Sequence, residues 1–120
     1  MQVMIGIKNG MEVSFDENQR IVNYTDTIKD ICNDFFENHN FTEDEEEITY
    51  KVIHSKKFVE ILQLICKKQE ETICEIKKVL GNERKNDLVN ILFDYSLIIS
   101  LLAEAISLVE KNNDVYIILI

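Results

Sequence analysis

The run Leu97-Ile98-Ile99-Ser100-Leu101-Leu102-Ala103-Glu104-Ala105-Ile106-Ser107-Leu108-Val109 is the most apolar stretch of the chain. Together with Ser96, its polar members fall at 96, 100, 104 and 107, a helical spacing that leaves every other side of the helix apolar. A helix of that kind is buried on several sides, so the rest of the chain reads as what covers it. Asp94 is the expected N-cap. On that reading the helix is too short to cross a bilayer comfortably, and Glu104 near its middle is costly in lipid. The expectation is the core helix of a small soluble domain, with a narrow polar seam.

The 120 residues suffice for one domain, residues 1–120, with a core that needs no disulfide or metal staple. Hydrophobic residues make up 46% and charged ones 29%, which is a globular balance. The 22 acidic residues against 13 basic ones give a net charge of −9. That field repels phosphate backbones and anionic lipid heads, so neither nucleic acid nor a membrane surface is an expected partner. The opening Met1-Gln2-Val3-Met4-Ile5 has no basic n-region and no cleavage site of a secretory signal. Cys32, Cys66 and Cys74 are odd in number and make no disulfide framework, which suits a reducing compartment, cytoplasm or nucleus.

Working outward, residues 3–8 and 11–15 predict a β-hairpin around Lys8-Asn9-Gly10, with apolar residues at Val3, Ile5, Ile7, Met11, Val13 and Phe15. A two-residue Asn9-Gly10 turn scatters them over both faces. A three-residue loop with Gly10 left-handed pairs Ile7 with Met11, Ile5 with Val13 and Val3 with Phe15 on one face, and is the preferred register. Asp16 to Tyr24 reads as a connection. Thr25 or Asp26 then caps a helix whose stripe is Ile28, Ile31, Cys32, Phe35 and Phe36. It gives out near Asn38-His39-Asn40, and Glu43-Asp44-Glu45-Glu46-Glu47 reads as a solvated acidic loop.

Ile48 to Ile53 alternates and predicts a third strand. Ser55 is the expected cap of a helix with Phe58, Ile61, Leu62, Ile65 and Cys66 on one stripe. Gln69 to Leu80 keeps a weaker helical period as a separate helix or a continuation, and Asn82 to Asp87 reads as a polar connector. Residues 111–114 read as a turn, and Val115 to Ile120 as an extra strand or an apolar docking tail. The order is β-β-α-β-α-(α)-α-β, a mixed α+β domain.

No phosphate-cradling glycine loop, nucleophile elbow or zinc-protease helix occurs, so no catalytic residue, metal ligand or cofactor is expected. The competing chemical reading is a thiol- or metal-dependent enzyme in which Cys32, Cys66 or Cys74 converges with His39 or His54. The cysteine spacing is not that of a zinc finger, and core or surface roles are the expectation for all five.

One constellation carries a resemblance. The hairpin, then Asp26-Thr27-Ile28-Lys29-Asp30-Ile31 opening a helix, an acidic loop, a strand ending Val52-Ile53, and the helix of Ser55-Lys56-Lys57-Phe58-Val59-Glu60-Ile61-Leu62 resembles elongin C and the related F-box adaptor. Leu101 to Leu108 is similar to the family's later helix, although Ile106-Ser107-Leu108-Val109 departs from its polar-aromatic-leucine-acid ending. The resemblance implies a BTB/POZ-type fold, a small sheet of the hairpin plus a third strand packed against a helical cluster. It also implies a non-enzymatic adaptor that bridges a cullin-type scaffold and a substrate receptor in a ubiquitin ligase complex. The receptor helix would enter a groove lined by Leu101, Leu102, Ala105 and Leu108. The scaffold side would use the first helix and the loop after it, with Lys29, Phe36 and Phe41, and the start of the next helix, with Ser55 and Phe58. The altered helix end and the apolar tail point instead to a self-associating BTB-like module, a homo-oligomer, or a decoy of host complexes.

Overall fold

The computed structural model describes residues 1–15, 20–109 and 114–120. The strands are β1 (Gln2–Asn9), β2 (Glu12–Phe15), β3 (Val22–Asn23), β4 (Glu37–Glu43), β5 (Glu46–His54) and β6 (Val115–Leu119); the helices are α1 (Asp26–Cys32), α2 (Phe58–Lys78) and α3 (Asn82–Val109). The domain is α+β. The six strands run in the order β2-β4-β5-β6-β1-β3, and β2 also pairs with β1. That second pairing joins β1, β2, β4, β5 and β6 into a closed ring, while β3 continues the edge of β1 at Gln2 and Val3.

Period-two alternation sorts each central strand into two buried sets. One set (Val3, Ile5, Ile53, Val115 and Ile117) meets the helices; the other (Phe41, Val52, Tyr116 and Ile118, with Val13, Phe15 and Tyr50 against them) fills the ring. Closure is tight at Gly6, opposite Tyr116, where a side chain would run into Ile118 Cδ1 and come within 3.0 Å of Val13 Cγ2. Only glycine lets the three strands approach so closely.

The two-sided burial overturns the expected hairpin register. β1 and β2 pair as Gly6↔Phe15, Ile7↔Ser14, Lys8↔Val13 and Asn9↔Glu12 around Gly10-Met11, with Gly10 at φ +65° and Met11 on the negative side. One apolar face was the wrong criterion, because Val13 and Phe15 belong inside the ring while Val3 and Ile5 belong under the helices. The apolar C-terminal segment is neither tail nor edge. β6 lies between β5 and β1, and its residues 115–118 are buried on both faces.

The first helix is shorter than its stripe predicts. Thr25 caps it, with Oγ1 accepting from Ile28 N at 3.4 Å and donating to Asp94 Oδ2 at 3.1 Å. After Cys32 a 3-10 turn (Asn33–Phe35) leads into β4, a strand in place of the expected loop. The acidic run is the tip of the β4–β5 hairpin, with Asp44 at φ 49° and Glu45 at φ 68° between the paired Glu43 and Glu46. A second 3-10 turn (Ser55–Lys57) precedes α2; its cap is His54, whose Nδ1 accepts from Lys56 N at 3.2 Å, rather than Ser55.

Helix α2 continues unbroken through residues 69–78, and α3 begins at Asn82, so Asp94 is an interior residue tied to Thr25 and not an N-cap. Arg84 clasps Glu75 at 2.9 Å across the connection. At 1.5 Å per residue α3 is about 42 Å long, against a cross-section of 26 Å. The helical hairpin therefore projects past the sheet, and the radius of gyration is 15.9 Å, where a compact chain of this length has about 14 Å. Its 28 residues also make α3 long and apolar enough to cross a bilayer, which removes the argument from length. What places it in this domain is packing: Tyr95, Ile98, Leu101, Leu102 and Ala105 are buried in one core cluster with residues of the sheet, α1 and α2.

Candidate functional site

The expected receptor groove is filled. Leu101, Leu102 and Ala105 are fully buried in the core beneath the sheet, so no partner helix reaches them without opening the domain; only Leu108 is partly exposed. The spacing identified the apolar positions correctly, and the domain's own core, built from α1, α2 and the sheet, covers them in place of a partner helix. On the scaffold side, Phe41 is inside the ring and Phe58 is in the main core, both fully buried. Ser55 is partly exposed in the 3-10 turn. Lys29 and Phe36 remain accessible and line one hollow beside α1.

The outer side of α3 presents a different surface. Val89, Phe93, Ser96, Ser100, Ala103 and Ser107 recur at alternating intervals of four and three, the period of a helix–helix seam. Val89 is 52% exposed and Phe93 66%. Ser96, Ala103 and Ser107 are exposed too, and Ser100 is half-buried. The bulky residues occupy the N-terminal half of the row and the small ones the C-terminal half. The row itself carries no charge, although Glu104 beside it pairs with Arg20 at 3.6 Å. On α2 a second row at the same period, Val59, Leu62, Cys66, Gln69, Ile73 and Ile76, is also incompletely covered.

The two histidines, separated in sequence, meet around Tyr116. The ring centroids of His39 and His54 lie 5.1 Å and 5.4 Å from that of Tyr116, and Phe41 packs on the same ring at 5.6 Å. Lys8 Nζ donates to His39 Nε2 at 3.3 Å. Burial, then the charges of Lys8 and His54, hold the His39 imidazolium below the usual range, against an opposing pull from Glu37 and Asp114. Tyr116 is raised by burial first and by the same two carboxylates after it. The cluster is packed and aromatic. Its strand register, Gly6↔Tyr116 and His54↔Tyr116, was unreadable without knowing that β6 is central.

The thiols do not converge. Cys32 is buried, which pushes its thiol up to about 12. Cys66 and Cys74 are exposed on α2, and eight residues of helix separate them by about 12 Å along the axis, too far to share one ion. Among the described residues no group of three or more His, Cys, Asp and Glu side chains is placed to hold a metal. Comparison with protein-family models, with curated proteins and with solved structures found no match to this chain.

Proposed function

We propose that this chain is a non-enzymatic protein-interaction module that associates with a second copy of itself through the outer face of α3. The observation that carries the reading is the self-complementarity of that face. When two α3 helices cross antiparallel about a point level with residue 98, Phe93 of each copy meets Ala103 of the other, Val89 meets Ser107, and Ser96 meets Ser100. Each bulky end then fills the partner's small-residue end, the isologous arrangement that a two-fold axis requires. An uncharged seam suits an interface core. A buried Phe contributes on the order of 150–250 Å² to such a contact.

Light scattering of the purified chain tests this. The wild type is expected to have twice the chain mass at about 100 μM, well above the dissociation constant of a micromolar dimer. Phe93→Asp is expected to be a folded monomer that melts cooperatively, because Phe93 is exposed, losing only the concentration-dependent part of the wild-type stability. Phe93→Ala combined with Ala103→Phe moves the bulk to the other end of the row and is expected to restore the dimer. A monomeric wild type, or a swap that stays monomeric, refutes the register.

The adaptor reading is supported by the resemblance of residues 26–31 and 55–62 and by Lys29 and Phe36 lining one accessible hollow. In it a BTB/POZ-type domain meets a cullin-type scaffold through Lys29, Phe36 and Ser55, and a receptor contacts Leu108 at the end of α3. Lys29→Glu is expected to abolish binding of a purified cullin N-terminal region in a pull-down. Equal retention by wild type and variant removes that reading and leaves the self-association test untouched.

A further inference from the structure

A hollow of about 250 Å³ opens where α1 meets the sheet, lined by Tyr24, Lys29, Asn33, Phe36, Lys51 and Leu119, with Met1 at its rim. Its floor is apolar and fixed. Tyr24 and Phe36 pack edge to face, centroids 5.9 Å apart at 90°, and Leu119 is the last residue of the central strand β6. Its two cations come from different elements and are set by backbone geometry. Lys51 is paired with Leu119 across β5 and β6, which holds its stem beside that side chain. Lys29 is one helical turn from Asn33, whose N–H closes on the Lys29 carbonyl, so the ammonium and the Asn33 amide rise from the same side of α1.

The charge of this hollow runs against the chain. In a protein of net charge −9 its lining holds two lysines and no Asp or Glu. Among the described residues the ion pairs are those of Arg20, Lys57, Lys68 and Arg84, so neither Lys29 nor Lys51 is neutralised by a neighbour. On α1, Asp30 lines the hollow on the opposite side of that helix, with Lys68 and Tyr95, and Asp26, one turn before Lys29, makes no ion pair with it among the described residues.

We infer that this hollow binds a carboxylate carried on an aromatic or branched apolar body: the head sits between the ammoniums of Lys29 and Lys51 with the Asn33 amide as a further donor, and the body lies on Tyr24, Phe36 and Leu119. Size agrees, since an apolar cavity of about 150 Å³ holds benzene, and the remaining volume accommodates one carboxylate. A few convergent polar groups over an apolar floor is the usual composition of a ligand site. Two ammoniums and an amide match the single charge of a carboxylate, whereas phosphate sites typically recruit a helix N-terminus, and Asn33 is at the C-terminal end of α1. The site is independent of what docks on α3.

The test is an amide NMR titration of the intact chain with phenylacetate. Saturable shifts are expected at Tyr24, Lys29, Asn33, Phe36 and Lys51, with affinity falling about tenfold or more for 2-phenylethanol, which lacks the charge, and for the doubly substituted Lys29→Gln, Lys51→Gln chain. Both lysines are exposed, so that variant keeps its fold, which its unchanged spectrum away from the hollow verifies. A short peptide ending in a free Phe carboxylate, set against its C-terminal amide, separates the sources. Tighter binding of the peptide acid than of phenylacetate assigns a chain terminus, and equal or weaker binding assigns a small acid. Shifts that do not saturate by about 10 mM, equal binding of the alcohol, or tighter binding of phenyl phosphate overturns the proposal.

Discussion

Gly6→Ala tests the closed ring directly. Gly6 lies in ordinary extended backbone, so the substitution adds a methyl group without backbone strain, and its whole cost is steric. The new Cβ meets Ile118 Cδ1 inside van der Waals distance, with Val13 Cγ2 at 3.0 Å and Ile118 Cγ1 at 3.3 Å. Ile118 is fully buried, which denies it an easy retreat. Overpacking of a filled core costs about 1–3 kcal/mol. Taking about 2 kcal/mol, and an unfolding entropy near 0.25 kcal/mol/K for a chain of this length, the melting temperature falls by about 8 °C. Ile118→Val removes the obstructing Cδ1 and alone costs about 1 kcal/mol. If the geometry is right the two changes are strongly coupled: the double variant loses about 1 kcal/mol rather than about 3, because the alanine then occupies the space the methyl vacated. Urea titrations of the four chains give the cycle. A Gly6→Ala chain as stable as the wild type, or strictly additive losses, would show that β1, β2 and β6 do not converge at this point.

Two further outcomes follow from backbone and charge. Asp44 and Glu45 both hold left-handed backbone between strands, which non-glycine side chains resist; Asp44→Asn with Glu45→Gly is expected to raise stability by about 1 kcal/mol, and a lower urea midpoint would refute the two-residue turn. His39 has a folded pKa below its unfolded value, so as pH falls the unfolded chain takes up the proton first, and stability drops from about pH 6.5 downward. Denaturation at pH 7.5 and 5.5 is expected to show a smaller acid loss in His39→Gln than in the wild type, and an identical loss in both would remove the assignment.

The chain made its helices legible where one side faces a single layer. Ile28, Ile31 and Cys32, and then Phe58, Ile61 and Ile65, are buried as their spacing predicts. It misled wherever burial is two-sided or a strand is polar. Phe35 and Phe36 continue the helical period of α1 yet leave it, because β4 has to reach β5, with which it forms seven paired positions. β4 itself, Glu37-Asn38-His39-Asn40-Phe41-Thr42-Glu43, buries only Phe41 and has little strand propensity of its own. Its pairing, and not its composition, makes it a strand. The polar Asn82 to Asp87 reads as a linker for the converse reason: that part of α3 lies out beyond the sheet, where a helix needs no apolar stripe. The outer row of α3 was visible only as the polar seam of a greasy helix. Its meaning depends on Val89 and Phe93, which the expected start at Asp94 excluded.

The meeting of β1 with β6 also sets an order of events during synthesis. Gln2 and Ile120 exchange backbone hydrogen bonds at 2.8 Å in both directions, and β6 occupies the slot between β5 and β1. Until residues 115–119 leave the ribosome, β5 and β1 each carry an open edge, the ring interior lacks Tyr116 and Ile118, and α3 has no Ile117 to rest on. The nascent chain therefore completes its fold only after translation has passed its final strand. In that interval the facing edges of β5 and β1 are open to pairing by another extended segment.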